Sequence, residues 1–152
     1  MQINLHPIAT VTNKRSTPTD DFWGDTISEI TLLQHIPEDA FKGIEDFSHL
    51  EIIYYFDKID PTKIVYSGHP RGNPAWPEAG IFCQRKKDRP NQLGLCTVEL
   101  VEHKGRSIKV KYLDAIDGTP VLDIKPVFKE FEVKGAIRQP DWAVELMRDY
   151  WK

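Results

Sequence analysis

The chain has 152 residues, a formal net charge of −3 and a hydrophobic content of 40%. These values are those of a soluble globular protein, and we expect a single domain over 1–152. No apolar run approaches the ~20 residues of a membrane helix, and the first residues lack the basic head and apolar body of a signal peptide. We therefore expect a cytoplasmic protein without a membrane partner.

Apolar runs in the first third of the chain mostly predict strands. Residues 3–12 and 27–33 predict the first two strands, and a short helix is predicted over 37–43. Residues 49–56 are apolar on both predicted faces. This pattern is typical of a central strand that is covered on each side.

The middle of the chain predicts a hairpin and one further strand. Residues 95–101 and 107–113 alternate apolar and polar side chains, and the short turn between them contains Gly105. An extended run begins again at 121–124. Several short strands with little helix between them favour a mainly β fold, a closed barrel over about 3–128 more than a sandwich.

The C-terminal residues from Pro140 to Lys152 predict an amphipathic helix. Its apolar stripe includes Trp142, Leu146 and Tyr150. We expect this stripe to pack on the barrel or on a partner chain.

A loop between two predicted strands concentrates positive charge. Arg85, Lys86, Lys87 and Arg89 surround one acid, Asp88, so the segment carries +3 in a chain whose total is −3. Such a loop can hold phosphate groups, and arginine is the more specific donor because its guanidinium is planar. A solvated polar loop is the alternative that these residues leave open.

The segment richest in candidate functional side chains is 114–126, which has three carboxylates and a lysine around a glycine turn. Its Asp-Gly-Thr-Pro sequence predicts a tight turn in which the glycine takes a positive φ. We expect this turn to gather Asp114, Asp117, Asp123 and Lys125 near one strand end. Either the acids accept backbone N–H groups at a hairpin corner, or they belong to a site.

Metal chemistry has little support in the sequence. Cys83 and Cys96 lie too far apart for a metal pair, and we expect both to be reduced, buried thiols. The five histidines show no metal-ligand spacing, so no metal is predicted.

Three segments together resemble the TsaA-like, TrmO-type family: 47–50, 80–94, and 113–126 with its DGTPVLDIKP string. Their order and spacing match over about 5–128. The resemblance implies a single-sheeted β-barrel that binds S-adenosyl-L-methionine, usually dimerises and acts as a methyltransferase. Characterised bacterial members methylate N6 of threonylcarbamoyl-adenosine beside the anticodon of a threonine tRNA.

Position by position, the resemblance implies contacts with S-adenosyl-L-methionine at Asp57, Lys58, Arg85, Leu95, Leu113 and Asp114. The chemistry agrees in part, since a sulfonium cation is attracted to carboxylates and aromatic faces and an adenine ring needs apolar walls. No Gly-x-Gly-x-x-Gly loop is present, so a Rossmann-type methyltransferase is not supported.

Five further residues are assigned to substrate and catalysis as hypotheses. We expect Arg89, Asn91 and Lys125 to orient the substrate. A carboxylate, Asp117 first and Asp123 second, would take or guide the proton that leaves the substrate amine. Their clustering around one turn is the observation behind this assignment.

The expected partners are a tRNA or another nucleoside-containing substrate, and a second copy of the chain in a homodimer. The basic loop and the hairpin would form the track for phosphates, the hairpin through Lys104, Arg106, Lys109 and Lys111. Two alternatives stay open. One is a barrel that binds S-adenosyl-L-methionine or another nucleotide without methylating tRNA, and the other is a methyltransferase that acts on a small molecule.

The first long loop departs from the family pattern. It reads Thr17-Pro18-Thr19-Asp20-Asp21 where the characterised tRNA enzymes carry a Pro-Arg-Gln element. We expect this acidic segment to repel phosphate, so the substrate follows less directly from the resemblance than the fold and the cofactor do.

Overall fold

The computed structural model describes all of residues 1–152, and its main feature is a closed antiparallel barrel of six strands. In order around the barrel they are β1 (Ala9–Thr12), β2 (Ile27–Leu32), β7 (Ser107–Lys111), β6 (Leu93–Lys104), β3 (His49–Tyr55) and β8 (Pro120–Pro126). Two short strands, β4 (Ser67–Gly68) and β5 (Ala79–Gly80), form a separate sheet. The predicted closed β-barrel is confirmed.

One face of each barrel strand points inward and forms the hydrophobic core. Its fully buried side chains are Ala9, Val11, Ile30, Leu50, Ile52, Val98, Ile108, Val110, Leu113 and Val121. β3 lies between β6 and β8, as expected of a central strand. Its second face is not covered as predicted, because Ile53 and Tyr55 point outward and are half-buried.

Several predicted strand bounds are wrong, among them 95–101, because β6 covers Leu93–Lys104. β1 begins at Ala9 instead of residue 3, because Pro7 has no N–H to donate and β1 pairs with only two residues of β8. β7 ends at Lys111 instead of residue 113, because Tyr112 takes a φ of 65° that a strand cannot continue through.

The helices are short, and none is both long and apolar enough to cross a membrane. Two 3-10 turns, Glu38–Phe41 and Ile44–Asp46, replace the predicted helix at 37–43, with Gly43 at φ 82° between them. Other 3-10 turns lie at Pro61–Lys63, Pro70–Gly72, Ile81–Cys83, Pro90–Gln92 and Lys129–Phe131.

The C-terminal helix, α1, covers only Asp141–Leu146, so the prediction of a helix to residue 152 is wrong in length. Tight turns follow it, in which the Arg148 N–H donates to the Glu145 carbonyl and the Tyr150 N–H to the Met147 carbonyl. These turns direct residues 149–151 back onto the barrel.

The two cysteines differ in burial. Cys96 points into the core from β6, as predicted, but Cys83 is exposed, so its predicted burial is wrong. Cys83 lies in the 3-10 turn in which Ile81 alone points into the protein.

A glycine in β6 makes room for a tyrosine ring of β3. Gly94 pairs with Tyr54 across the two strands, and the Tyr54 ring lies over the glycine. A Cβ atom at position 94 would lie 2.3 Å from the ring. Tyr54 is therefore buried at the end of the barrel, where its hydroxyl reaches beyond the core.

Gly94→Ala tests this packing. We expect the substitution to lower the free energy of unfolding by about 1–3 kcal/mol, because the ring must move or the strands must separate. Urea unfolding measures the change. Gly68→Ala is the control, because a Cβ atom there would have no neighbour within 4 Å and the φ of Gly68 is ordinary. Equal stabilities of the two variants would contradict the account.

Candidate cofactor site

An open groove of about 380 Å³ lies at the end of the barrel where β3 ends and β6 begins. It is lined by Tyr54, Phe56, Phe82, Gln84, Arg85, Arg89, Pro90, Asn91, Leu93, Gly94, Leu95 and Asp114. These residues come from β3, from the basic loop with the start of β6, and from the segment after β7. The barrel thus joins three distant parts of the sequence in one concave surface.

Three of the six predicted cofactor residues meet in this groove: Arg85, Leu95 and Asp114. The Arg85 guanidinium donates to the Leu95 carbonyl oxygen, which fixes the arginine along the start of β6. The Leu95 side chain is 45% exposed and supplies an apolar wall. The groove therefore combines a cation, an apolar surface and a carboxylate.

The other three predicted cofactor residues lie outside the lining. Leu113 is fully buried in the core, so its side chain cannot touch a ligand in the groove. Asp57 and Lys58 are exposed on the turn after β3. Lys58 reaches toward the Asp-Gly turn, where its Nζ donates to the Asp117 carbonyl oxygen at 3.2 Å.

Two tyrosines hold the Asp114 carboxylate. The Tyr54 hydroxyl donates to Asp114 Oδ1 and the Tyr150 hydroxyl to Asp114 Oδ2, each at 2.6 Å. Burial and the Asp114 charge raise the pKa of both tyrosines, so both stay protonated donors. No lysine, arginine or histidine forms an ion pair with Asp114. The carboxylate is thus fixed in place by neutral donors.

The buried thiol of Cys96 lies beside this carboxylate. Its Sγ donates to the Tyr112 carbonyl oxygen at 2.8 Å. Burial, followed by the Asp114 charge, raises the pKa of the Cys96 thiol. Cys96 is therefore not a nucleophile, because the thiolate is the reactive form.

Asp117 shapes the turn that follows Asp114. Its Oδ1 accepts the Asn13 N–H at 3.0 Å, and its own N–H donates to the Arg15 carbonyl oxygen at 2.8 Å. Gly118 takes the predicted positive φ, 82°. The turn is thereby fastened to the end of β1.

Of the four charged residues predicted to gather near one strand end, Asp114 alone lines the groove, and the prediction is wrong for Asp123 and Lys125. These two side chains form an ion pair with each other at 2.7 Å. Asp123 pairs with Ile53 of β3, whose side chain points outward, so this stretch of β8 carries its charges on the outside of the barrel. Neither residue lines the groove.

The basic loop turns two of its cations toward the groove. Arg85 and Arg89 are lining residues, and Arg89 also donates to the Gln84 carbonyl oxygen at 2.9 Å. Lys86 instead pairs with Asp88 at 3.8 Å. Asn91, the predicted substrate residue beside Arg89, also lines the groove.

Two of the four hairpin cations of the predicted phosphate track, Arg106 and Lys109, already have partners within the chain. Arg106 donates to the Leu33 and Ile36 carbonyl oxygens at 2.6 and 2.8 Å. Lys109 forms an ion pair with Glu102 at 2.5 Å. At about 3.3 Å per strand residue, the hairpin tip also lies about 30 Å from the groove along β6.

The acidic first loop is partly neutralised by an arginine from another loop. Arg71 donates to both oxygens of Asp21, at 2.8 and 3.0 Å, and lies 3.9 Å from a carboxylate oxygen of Asp20. The sequence predicts that these acids repel phosphate. The arginine reduces that repulsion at close range.

Some strained backbone positions lie at or near the groove, and others lie in the loops. Five non-glycine residues have positive φ: Phe22, Arg71, Asn91, Gln92 and Tyr112. Such conformations cost about 1–3 kcal/mol each and persist where the surrounding structure imposes them, often at functional sites. Asn91 lines the groove itself, and Tyr112 lies two residues before Asp114.

The hydrogen bond between Tyr150 and Asp114 was not predicted from the sequence. The place of Tyr150 on the apolar stripe of the predicted helix was visible, but no motif pairs it with Asp114.

The structure contains no group of three or more His, Cys, Asp or Glu side chains that could hold a metal ion.

A closed antiparallel barrel with an open groove at one end is a different architecture from the parallel sheet of Rossmann-type methyltransferases. The model of the tRNA-methyltransferase O N-terminal domain matches residues 8–133. The chain therefore belongs to this family, which confirms the resemblance drawn from the motifs.

Individual relatives agree with this membership. The chain is 34% identical over 134 residues to an S-adenosyl-L-methionine-binding protein of Archaeoglobus fulgidus, covering 84% of this chain and 91% of that protein. It is 36% identical over 105 residues to a tRNA (adenine(37)-N6)-methyltransferase of Homo sapiens, covering 68% of this chain and 23% of that protein.

A solved structure shares the fold. The crystal structure of TrmO from Pseudomonas aeruginosa superimposes with a TM-score of 0.73 at 23% identity, and the match covers 92% of this chain and 61% of that chain. The barrel and its surroundings therefore have the architecture of that protein.

The raised tyrosine pKa values predict a loss of stability in alkali. Above the ordinary tyrosine pKa of about 10, the unfolded chain releases protons that folded Tyr54 and Tyr150 retain, so the free energy of unfolding falls as pH rises. Below that pH the two groups add no pH dependence. Tyr150→Phe should make the fall shallower.

Urea unfolding between about pH 9 and pH 11 measures this slope. Tyr66→Phe is the matched control, because that side chain is 70% exposed. Identical slopes in the wild type and Tyr150→Phe would contradict the assignment of the raised pKa to Tyr150.

Proposed function

We propose that this protein is an S-adenosyl-L-methionine-dependent methyltransferase that methylates N6 of a modified adenosine in a tRNA anticodon loop. One observation carries the proposal: Arg85, Leu95 and Asp114, which the family resemblance implied as cofactor contacts, line one groove. The names of the relatives in Archaeoglobus fulgidus and Homo sapiens support the cofactor and the reaction respectively.

The residues of the groove fit the chemistry of S-adenosyl-L-methionine. Asp114 offers a carboxylate whose charge no basic side chain cancels, which suits a cationic group. Arg85 can bind the carboxylate of an amino-acid tail, and Leu95 and Phe56 offer apolar walls for an aromatic ring. The volume of about 380 Å³ lies within the usual range of ligand pockets.

S-adenosyl-L-methionine supplies an already activated methyl group when bound, so the protein's own task is mainly positioning. Fixing two reactants in a productive geometry lowers a barrier by about 7–11 kcal/mol in favourable cases. The Tyr54 ring, packed on Gly94, and the two hydrogen bonds to Asp114 give the groove a rigid floor.

The substrate amine must lose a proton, and we propose Asp117 as the acceptor. Asp117 Oδ1 accepts the Asn13 N–H, and Oδ2 has no partner within the chain. Asp123 is the weaker candidate, because the Ile124 N–H and Lys125 occupy its two oxygens. For the same reason we assign Lys125 to this ion pair and not to the substrate.

The surface beside the groove suits an unpaired nucleotide. Arg89 and Asn91 line the rim, where they can contact phosphate and base. Phe82 lies beside them and is 82% exposed, which leaves its ring face free for stacking. Proteins read single-stranded RNA loops by stacking splayed bases on aromatic side chains and holding the backbone with cations.

A second candidate function is a barrel that binds S-adenosyl-L-methionine without methylating tRNA. The contacts of Arg106 with the Leu33 and Ile36 carbonyl oxygens and of Lys109 with Glu102 favour it, because they compete with phosphate for these two cations. The homodimer and the cytoplasmic location stay predictions. Tyr150, on the helix stripe expected to meet the barrel or a partner, contacts the chain's own barrel.

Binding of S-adenosyl-L-methionine tests the cofactor part of the proposal. We expect isothermal titration to show binding to the wild type and at least a tenfold weaker affinity for Asp114→Asn and Arg85→Ala, because each loses a charge-assisted contact. Asp39→Asn, an exposed acid far from the groove in sequence, is the control. Unchanged affinity in both groove variants would place the ligand elsewhere.

Methyl transfer to tRNA tests the reaction. We expect the wild type to transfer a labelled methyl group from S-adenosyl-L-methionine to total tRNA, with the label recovered in an N6-methylated adenosine derivative by mass spectrometry. Asp117→Asn should slow single-turnover transfer by about 10²-fold or more if it accepts the proton. Binding without transfer would favour the second candidate, and full-rate transfer by Asp117→Asn would remove Asp117 from the role.

A further inference from the structure

The C-terminal segment 147–151 is docked against the first long loop by backbone contacts. The Phe22 N–H donates to the Asp149 carbonyl oxygen at 3.1 Å, and the Trp23 N–H to the Tyr150 carbonyl oxygen at 2.8 Å. Gly24 provides the space for this contact, since a Cβ atom there would lie 2.1 Å from the Trp151 carbonyl oxygen. The segment therefore has one defined register on the protein.

Side chains add to this docking from two directions. Trp151 packs its ring edge-on against Tyr112, with ring centres 5.8 Å apart. Trp76 donates its indole N–H to a carboxylate oxygen of Glu145 at 2.8 Å. Arg71, which holds Asp21 of the first loop, lies 6.0 Å from the centre of the Tyr150 ring. Two loops and Tyr112 thus flank the segment.

The result of this docking is the hydrogen bond from Tyr150 to Asp114. Asp114 is the only carboxylate in the lining of the groove, and Tyr54 and Tyr150 each occupy one of its oxygens. Neutral phenols restrict the rotation of a carboxylate and leave its negative charge in place, whereas an arginine or lysine would cancel it. A carboxylate held in this way keeps its negative charge and can form an ion pair with a cationic group of a ligand.

We propose that Tyr150 is a positioning residue of the cofactor site: it acts through Asp114 and orients that carboxylate toward the positive charge of S-adenosyl-L-methionine. Tyr150 lies outside residues 8–133 that the family model matches. The inference rests on the proposed function for the identity of the ligand. It adds that residues 147–151 form part of the site.

The test is isothermal titration of S-adenosyl-L-methionine and of its demethylated product into wild type, Tyr150→Phe and Tyr66→Phe. Loss of one hydrogen bond to the carboxylate should weaken cofactor binding by about five- to tenfold in Tyr150→Phe, with no change in Tyr66→Phe. A loss confined to S-adenosyl-L-methionine places the carboxylate at the sulfonium, and an equal loss for both ligands places it at the α-ammonium. Both results support the proposal.

A second variant tests whether the docking of the segment matters for binding. Gly24→Ala displaces the segment without changing a side chain of the groove, and it should weaken the binding of S-adenosyl-L-methionine as Tyr150→Phe does. A wild type that binds while both variants keep its affinity overturns the role of Tyr150 and leaves the proposed function intact. No binding to the wild type would instead overturn the proposed function.

A structural role alone would lower the melting temperature and leave the affinity unchanged. Thermal unfolding of the same variants is therefore recorded beside the titrations. Weaker binding by Tyr150→Phe, measured at a temperature at which the variant is fully folded, is the result expected of a positioning residue. A lower melting temperature with unchanged affinity would contradict the proposal.

Discussion

The carboxylate of Asp114 is the point on which the rest of the site depends. It receives one phenol from the barrel and one from the C-terminal segment, each at 2.6 Å, and it has no ion-pair partner of its own. Burial of a charged group is unfavourable unless hydrogen bonds compensate for it. The two tyrosines supply that compensation and leave the charge available to the groove. Removing either donor would leave part of this charge without a partner.

Close packing at Gly94 and a strained backbone at Tyr112 hold Tyr54 and Asp114 in position. Tyr54 reaches Asp114 only because Gly94 lets its ring lie across β6. Tyr112 takes a positive φ, ends β7 and redirects the chain so that Leu113 enters the core while Asp114 faces the groove. The same local distortion thus produces both a core residue and a site residue.

The alternation of apolar residues was enough to predict the barrel, and the family motif placed Arg85, Leu95 and Asp114. The side of the barrel on which Asp123 lies could not be predicted. Val121 and Ile124 are three residues apart, so they would face opposite sides of a regular strand. Both face inward because the register of β8 against β3 shifts between Ile53 and Tyr54. The contact of Tyr150 was hidden for another reason. Helical periodicity shows which side chains share a face, but it does not show which surface that face meets.

The most direct measurement is a crystal structure of the protein with S-adenosylhomocysteine, the demethylated product, bound. We expect the ligand in the groove beside Arg85, Leu95 and Asp114, with the hydrogen bonds from Tyr54 and Tyr150 to Asp114 retained. A ligand bound at another surface, or one that displaces Tyr150 from Asp114, would contradict it.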